Sequence, residues 1–130
     1  KIQRGGYYLH LDPAGCFIAV GVWCPPPNIL KALRQSVCDN IDELNEIRNE
    51  ASFSTYFKTF FEEDKLKKVP AGFPRDFPEP ELLKLKHYMV EHKLNDYILN
   101  APDLVSRLGE IARAGYPLNK FLNYTVDEVI

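Results

Sequence analysis

The chain has 130 residues, 45% of them hydrophobic and 26% charged, with 16 Lys+Arg against 18 Asp+Glu for a formal net charge of -2. That composition belongs to one soluble domain that folds without disulfides or metal, and its charge balance gives neither a general affinity for nucleic acid nor an acidic tail. The longest apolar run, residues 16–24, is too short to cross a hydrocarbon core of about 30 Å as a helix, so no membrane partner is expected.

A strand pattern starts near Gly6 with almost no lead-in, and the chain is expected to begin inside a longer protein. Gly6 to Leu11 and Cys16 to Trp23 flank Asp12-Pro13-Ala14-Gly15, where Asp first, Pro second and Gly fourth match a type I turn. A hairpin centred there pairs Leu9 with Ile18, Tyr7 with Val20, His10 with Phe17 and Tyr8 with Ala19. One face is then aliphatic. The other carries Tyr8, His10, Phe17, Ala19, Gly21 and Trp23, a mixture of aromatic, small and titratable groups.

Pro25-Pro26-Pro27 ends the second strand, since proline offers no N–H to a ladder, and Asn28 is the expected N-cap of a helix from Ile29. A second helix is expected over 41–48. Phe53, Tyr56, Phe57, Phe60 and Phe61 follow at helical spacing, which predicts a third helix with five aromatics on its core side. Residues 62–80 pass from an acidic run through Lys65-Leu66-Lys67-Lys68 into a proline-rich loop. A short helix over 81–86 and a strand from Tyr88 to Leu94 come next. Pro102 to Ala114 reads as a helix stopped by Gly115, with a last short helix from Pro117 to Tyr124.

The elements add up to an α+β fold, a largely antiparallel sheet of the hairpin and the later strand covered by several helices, with 1–130 as a single domain. Cys16 and Cys24 sit in one extended run at about 3.3 Å per residue, far beyond disulfide reach. Three thiols without a C-x-x-C pair fit a reducing, cytoplasmic setting.

Four ordered segments carry a resemblance: Gly6-Tyr7-Tyr8-Leu9-His10-Leu11-Asp12-Pro13, then Gly21-Val22-Trp23-Cys24-Pro25-Pro26-Pro27, then residues 66–73, then residues 78–86. Together the chain resembles the bacterial domain-of-unknown-function family 2461 from about Gly5 to Asn123. The resemblance implies an upstream half with an arginine- and lysine-rich signature, so that this chain corresponds to the C-terminal part of a longer family member. It implies no established activity. Where relatives often carry aspartate-histidine-proline, this chain reads Asp76-Phe77-Pro78, and no role for a histidine carries over there.

Chemistry is sparse. His10 and Asp12 are two apart, hence on one side of a strand, and are the candidate catalytic pair, with His10 as a general base. Asp12 is already accounted for by the turn, and packing between Tyr8 and Phe17 is the better account of His10. His87 and His92, five apart, point to opposite faces and read as surface or satisfied core histidines. No metal signature and no cofactor motif is present. A pocket floored by Tyr8, His10, Phe17 and Trp23 and rimmed by Arg4, Lys67, Lys68 and Lys86 makes a binding module for a small anionic or phosphate-bearing ligand the leading expectation. A hydrolase using His10 and an interaction domain using loop 64–80 stay open beside it, as does the oligomeric state.

Overall fold

In a computed structural model, which describes residues 4–130, the Asp12-Pro13-Ala14-Gly15 turn closes as its residue types demand. Gly15 N–H donates to the Asp12 carbonyl at 2.9 Å, and Ala14 N–H donates to Asp12 Oδ1 at 2.8 Å. The turn joins β1 (Gly6–His10) to β2 (Cys16–Val22) in the expected register, Tyr7 opposite Val20, Leu9 opposite Ile18 and His10 opposite Phe17. The later strand β3 (Tyr88–Leu94) adds to the other edge of β2, also antiparallel, so the strand order is β1-β2-β3. The fold is α+β.

One face of this sheet is core. Ile18, Val20 and Val22 from β2 and Tyr88, Val90 and Leu94 from β3 are buried with Leu33 and Val37 of α1 (Pro27–Asp39) and Leu118, Leu122 and Val126 of α6 (Leu104–Val129). Each such aliphatic side chain contributes about 1.5–3 kcal/mol relative to leaving it in water. α2 (Ile41–Asn49) and α3 (Ala51–Tyr56) close the layer with Leu44 and Phe53. α1 starts at Pro27 rather than after Asn28, because a proline at the first helical position has the right φ and no N–H to waste.

Loop 62–80 lies against the domain. Phe77 is buried, Val69 and Phe73 pack on the core, and Leu66 N–H donates to the Lys84 carbonyl at 2.8 Å. The one-turn α4 (Pro80–Leu83) follows. Its carbonyl end is held from within: Tyr88 Oη donates to the Leu82 carbonyl at 2.7 Å, and buried Arg34 donates through Nη2 to the Leu85 carbonyl at 2.8 Å. Between β3 and α6, Asn95 Oδ1 caps the short α5 (Asp96–Leu99) by accepting from Ile98 N–H, an element the sequence reading did not place.

Two expected elements differ. The five-aromatic helix does not form as one piece: α3 stops at Tyr56, and Phe57 is already extended. Residues 55–61, Thr-Tyr-Phe-Lys-Thr-Phe-Phe, are β-branched and aromatic, and the free edge of β3 offers their backbone a ladder. Phe60 bridges Val90, and Phe61 N–H donates to the Met89 carbonyl at 2.8 Å. Phe60 therefore enters the core while Phe61 turns to the opposite face.

The second difference is α6, which runs unbroken through Gly115 and Pro117. Leu118, Phe121, Leu122 and Val126 continue the stripe begun by Ile111 and Ala114, and their burial outweighs a propensity cost of about 1 kcal/mol for glycine and about 3 for proline. Gly115 marks a close crossing, not a stop. A Cβ built there would lie 2.7 Å from Val20 Cγ2.

Candidate functional site

The other sheet face has no helix over it. Alternation places Tyr8 and His10 of β1, Phe17, Ala19 and Gly21 of β2, and Met89, Glu91 and Lys93 of β3 on the side away from α1 and α6. Small side chains occupy its middle, where Ala19 stands between Tyr8 and Glu91 and Gly21 between Gly6 and Met89, and Ala19, Gly21 and Met89 are buried. Gly21 is required by its backbone, with φ of +132° and with Tyr88 O only 2.1 Å from where a Cβ would stand.

The rings on this face form a continuous chain. His10 stacks on Phe17 with ring centres 4.7 Å apart, and Phe17 meets Phe61 edge-on at 6.5 Å. Phe61 meets Trp23 edge-on at 5.9 Å, and Trp23 lies flat on His87 at 3.9 Å. Trp23 is 37% exposed and Tyr8 40%, whereas His87 beneath the indole is only 4% exposed. His87 Nδ1 accepts the Cys24 backbone N–H at 2.9 Å, which puts the proton of the neutral ring on Nε2. That Nε2 is buried and has no hydrogen-bond partner among the described residues. Burial pushes the His87 pKa down, Glu63 and Asp64 push it up, and Lys86 pushes it down. Cys24 itself is held at φ of +47°, a conformation non-glycine residues adopt at a cost.

An open groove of about 790 Å³ runs beside this chain of rings, between β3 and the segment after α3. Phe17, Phe61, Lys58 and Lys93 line it together with the carboxylates of Glu62, Glu63 and Glu91. Lys58 and Lys93 were not singled out from the sequence, and Phe61 was expected in the core and His87 as a surface or satisfied core histidine. For His87 the signal was there in the register, since continuing the β2–β3 pairing one step past Val22 and Tyr88 sets Trp23 opposite His87.

The predicted site residues are only partly brought together. Tyr8, His10, Phe17 and Trp23 share the open face. Arg4 stands apart, on the side of α6, in a two-pronged ion pair with Asp127, both contacts at 2.9 Å. Lys67 and Lys68 are exposed and Lys86 is half-buried, and none of the three is in an ion pair among the described residues. Their neighbours Lys65 and Lys84 are occupied instead. Both reach Glu81, at 2.8 and 2.6 Å, and their hydrogen bonds hold its pKa down to about 2. No hydrogen bond joins Asp12 to His10; the Asp12 carboxylate serves its turn. His92 faces the core side, with Nδ1 3.0 Å from the Tyr56 carbonyl.

All three cysteines are free. Among the described residues no group of three or more His, Cys, Asp or Glu is placed to hold a metal ion, and no helix is long and apolar enough to cross a membrane. Comparison with curated proteins and with solved structures finds no match. A family described as conserved hypothetical protein (DUF2461) matches residues 1–121, nearly the whole length, and with the hairpin, the proline run after Trp23 and the anchored loop now in place, the chain belongs to that family.

Proposed function

We propose that the chain is a binding module, and that its open sheet face receives a small ligand carrying a flat ring and an anionic group. The observation that carries this reading is the contrast between the two faces: over β2 and β3 one is buried against the core helices, while the other presents Tyr8, His10, Phe17, Phe61 and Trp23 with no helix above them. Tyr8, His10 and Trp23 are exposed and Phe17 and Phe61 half-buried, and such rings offer stacking surface at low cost in side-chain entropy. Lys93, opposite Phe17 in the ladder, and Lys58 in the groove wall are the cations on this side, and they stand among the carboxylates of Glu62, Glu63 and Glu91. Lys67, Lys68 and Lys86 are free of ion pairs among the described residues and complete the rim in this reading; Arg4, committed to Asp127, is left out of it.

The two competing readings have less behind them. A hydrolase with His10 as general base needs an orienting partner, and no hydrogen bond to His10 exists among the described residues. Docking through loop 64–80 needs an exposed aromatic there, and Phe77 is buried while Phe73 packs on the core.

The test is a backbone amide titration by NMR with a nucleoside monophosphate, with inorganic phosphate run in parallel. Shifts are expected to concentrate at Phe17, Trp23, Phe61 and Lys93 with the nucleotide, and to be weaker with phosphate alone. No shift up to about 10 mM nucleotide, the weak limit of useful affinity, or shifts confined to the α1–α6 side, overturns the proposal.

A further inference from the structure

His87 occupies a seat that fits only its neutral form. The ring is buried under the flat face of the Trp23 indole, and its Nδ1 accepts the Cys24 backbone N–H at 2.9 Å. A proton added at Nδ1 would face that N–H, donor against donor. Nε2 is no better placed, since it is buried without a hydrogen-bond partner among the described residues. An imidazolium would therefore hold two N–H groups and a charge that nothing in the seat receives. Acceptors stand close by. The charged groups that bear on the ring are Glu63 and Asp64, in the exposed turn after Phe61, and Lys86, its neighbour in the chain. On the side of β2 the titratable neighbour is Cys24, an exposed free thiol. Cys24, whose N–H closes the seat, is itself strained, with φ of +47°.

We propose that His87 is the catch of an acid-operated latch: protonating it breaks its bond to Cys24, and Trp23 with the Cys24 peptide swings off the ring while the sheet stays folded. Three features confine the movement to this joint. Trp23 and Cys24 lie beyond the last β2–β3 pair, Val22 with Tyr88, so no ladder bond has to break. Cys24 relaxes on release, because it is free to leave the left-handed region. Pro25 and Pro26 follow, neither with an N–H to give up, and α1 begins at Pro27, so the joint is bounded by a strand on one side and a helix on the other. The freed imidazolium turns toward Glu63 and Asp64, which water and the turn leave exposed. Trp23 then keeps only its edge-on contact with Phe61. Because Trp23 ends the row of rings on the open face, the latch sets the length of that row, longer near neutral pH and shorter in acid.

Trp23 is the single tryptophan of the chain, so its indole N–H is one NMR signal. That signal, the Cys24 amide and the His87 ring protons are followed from about pH 7.5 to about pH 4.5, a range that spans ordinary histidine titration. One concerted step is expected. With the midpoint of the His87 ring, the Cys24 amide loses about tenfold or more of its protection against hydrogen exchange, and the Overhauser contacts between indole and imidazole vanish. The amides of Val20 and Val90 keep their protection. His87→Asn sets an amide oxygen near the place of Nδ1 and takes up no proton, so it is expected to abolish the step. His87→Phe keeps the stack without an acceptor and is expected to leave the Cys24 amide unprotected at every pH. The wild-type titration decides by itself should either variant fail to fold. Ring contacts that persist while His87 titrates, a His87 ring still neutral at about pH 4.5, a step that survives in His87→Asn, or a loss of protection shared by Val20 and Val90 overturns the proposal.

Discussion

The indole of Trp23 lies parallel to the imidazole of His87, with ring centres 3.9 Å apart and planes within 8°. Their positions follow from one register, in which the residue after Val22 and the residue before Tyr88 are the next cross-strand pair. The consequence is chemical. The indole shields a ring whose Nδ1 is committed to Cys24 N–H, so His87 is held neutral at the border between core and open face.

His87 is expected to titrate below the ordinary histidine value of 6.5, because burial disfavours the imidazolium and Glu63 and Asp64 offset this only in part. The sign follows from linkage. As pH falls through 6.5 the unfolded chain takes up a proton that the folded chain resists, so stability drops with acidification until the folded His87 is itself protonated. Proton NMR of the His87 ring gives the midpoint directly, and thermal unfolding of His87→Gln between pH 7 and pH 5 should show a shallower slope than wild type. A midpoint at or above that of a free histidine contradicts this account.

The N-terminal side of β1 is tied to α6 by side chains one turn apart. Asn119 Nδ2 donates to the Gly6 carbonyl at 3.1 Å, Asn123 both accepts from Gly5 N–H and donates to its carbonyl, and Asp127 holds Arg4. Asn123→Ala removes both Gly5 contacts, and a loss of about 1–2 kcal/mol is expected. Amide exchange at Gly5 should quicken by roughly tenfold or more, with exchange in β2 and β3 changed only by the global loss. Unchanged exchange at Gly5 would show that the asparagine does not hold the segment.

Much of this arrangement was legible in the sequence. The hairpin register followed from a turn whose residue types fix its geometry, and the split between an aliphatic and an aromatic face followed from alternation alone. What was not legible depended on partners distant in the chain. Phe61 sits at helical spacing from Phe57, and only the free edge of β3 draws it out of a helix and onto the open face. Gly115 and Pro117 carry local stop signals, and only the apolar stripe that continues beyond them keeps α6 whole. Which basic side chains are already paired was not legible for a third reason. Side-chain charge in sequence says nothing of which carboxylate will claim it, and Glu81 claims Lys65 and Lys84 while Asp127 claims Arg4.

Gly21→Ala tests how closely β2 and β3 approach in the middle of the sheet. The substitution meets both a positive φ of 132° and the Tyr88 carbonyl and Met89 Cα, which lie 2.1 and 2.7 Å from the added carbon. Neither obstacle is a flexible side-chain end, so the backbone of β2 or β3 must move. A loss of about 3 kcal/mol or more is expected, combining backbone strain with overpacking. Urea unfolding measures it, and a loss under about 1 kcal/mol would mean that the strands separate more easily than their pairing implies.

Gly115 and Val20 offer a sharper test of how α6 is seated on the sheet, because each substitution should change the meaning of the other. Gly115→Ala gains about 1 kcal/mol in helix propensity but drives a methyl to within 2.7 and 2.9 Å of the two Val20 methyl carbons. Val20 is fully buried and cannot turn aside, so overpacking of about 1–3 kcal/mol outweighs the gain and the single variant is expected to be destabilised. Val20→Ala alone leaves a cavity at the same spot and costs about 2 kcal/mol. In the double variant the methyl added on α6 enters the space that the valine vacated, removing the clash and part of the cavity together. The double variant should therefore be more stable than the sum of the singles predicts, with a coupling of about 1–3 kcal/mol in a denaturant cycle. Additivity within about 0.5 kcal/mol would show that α6 crosses β2 at a greater distance than this packing requires.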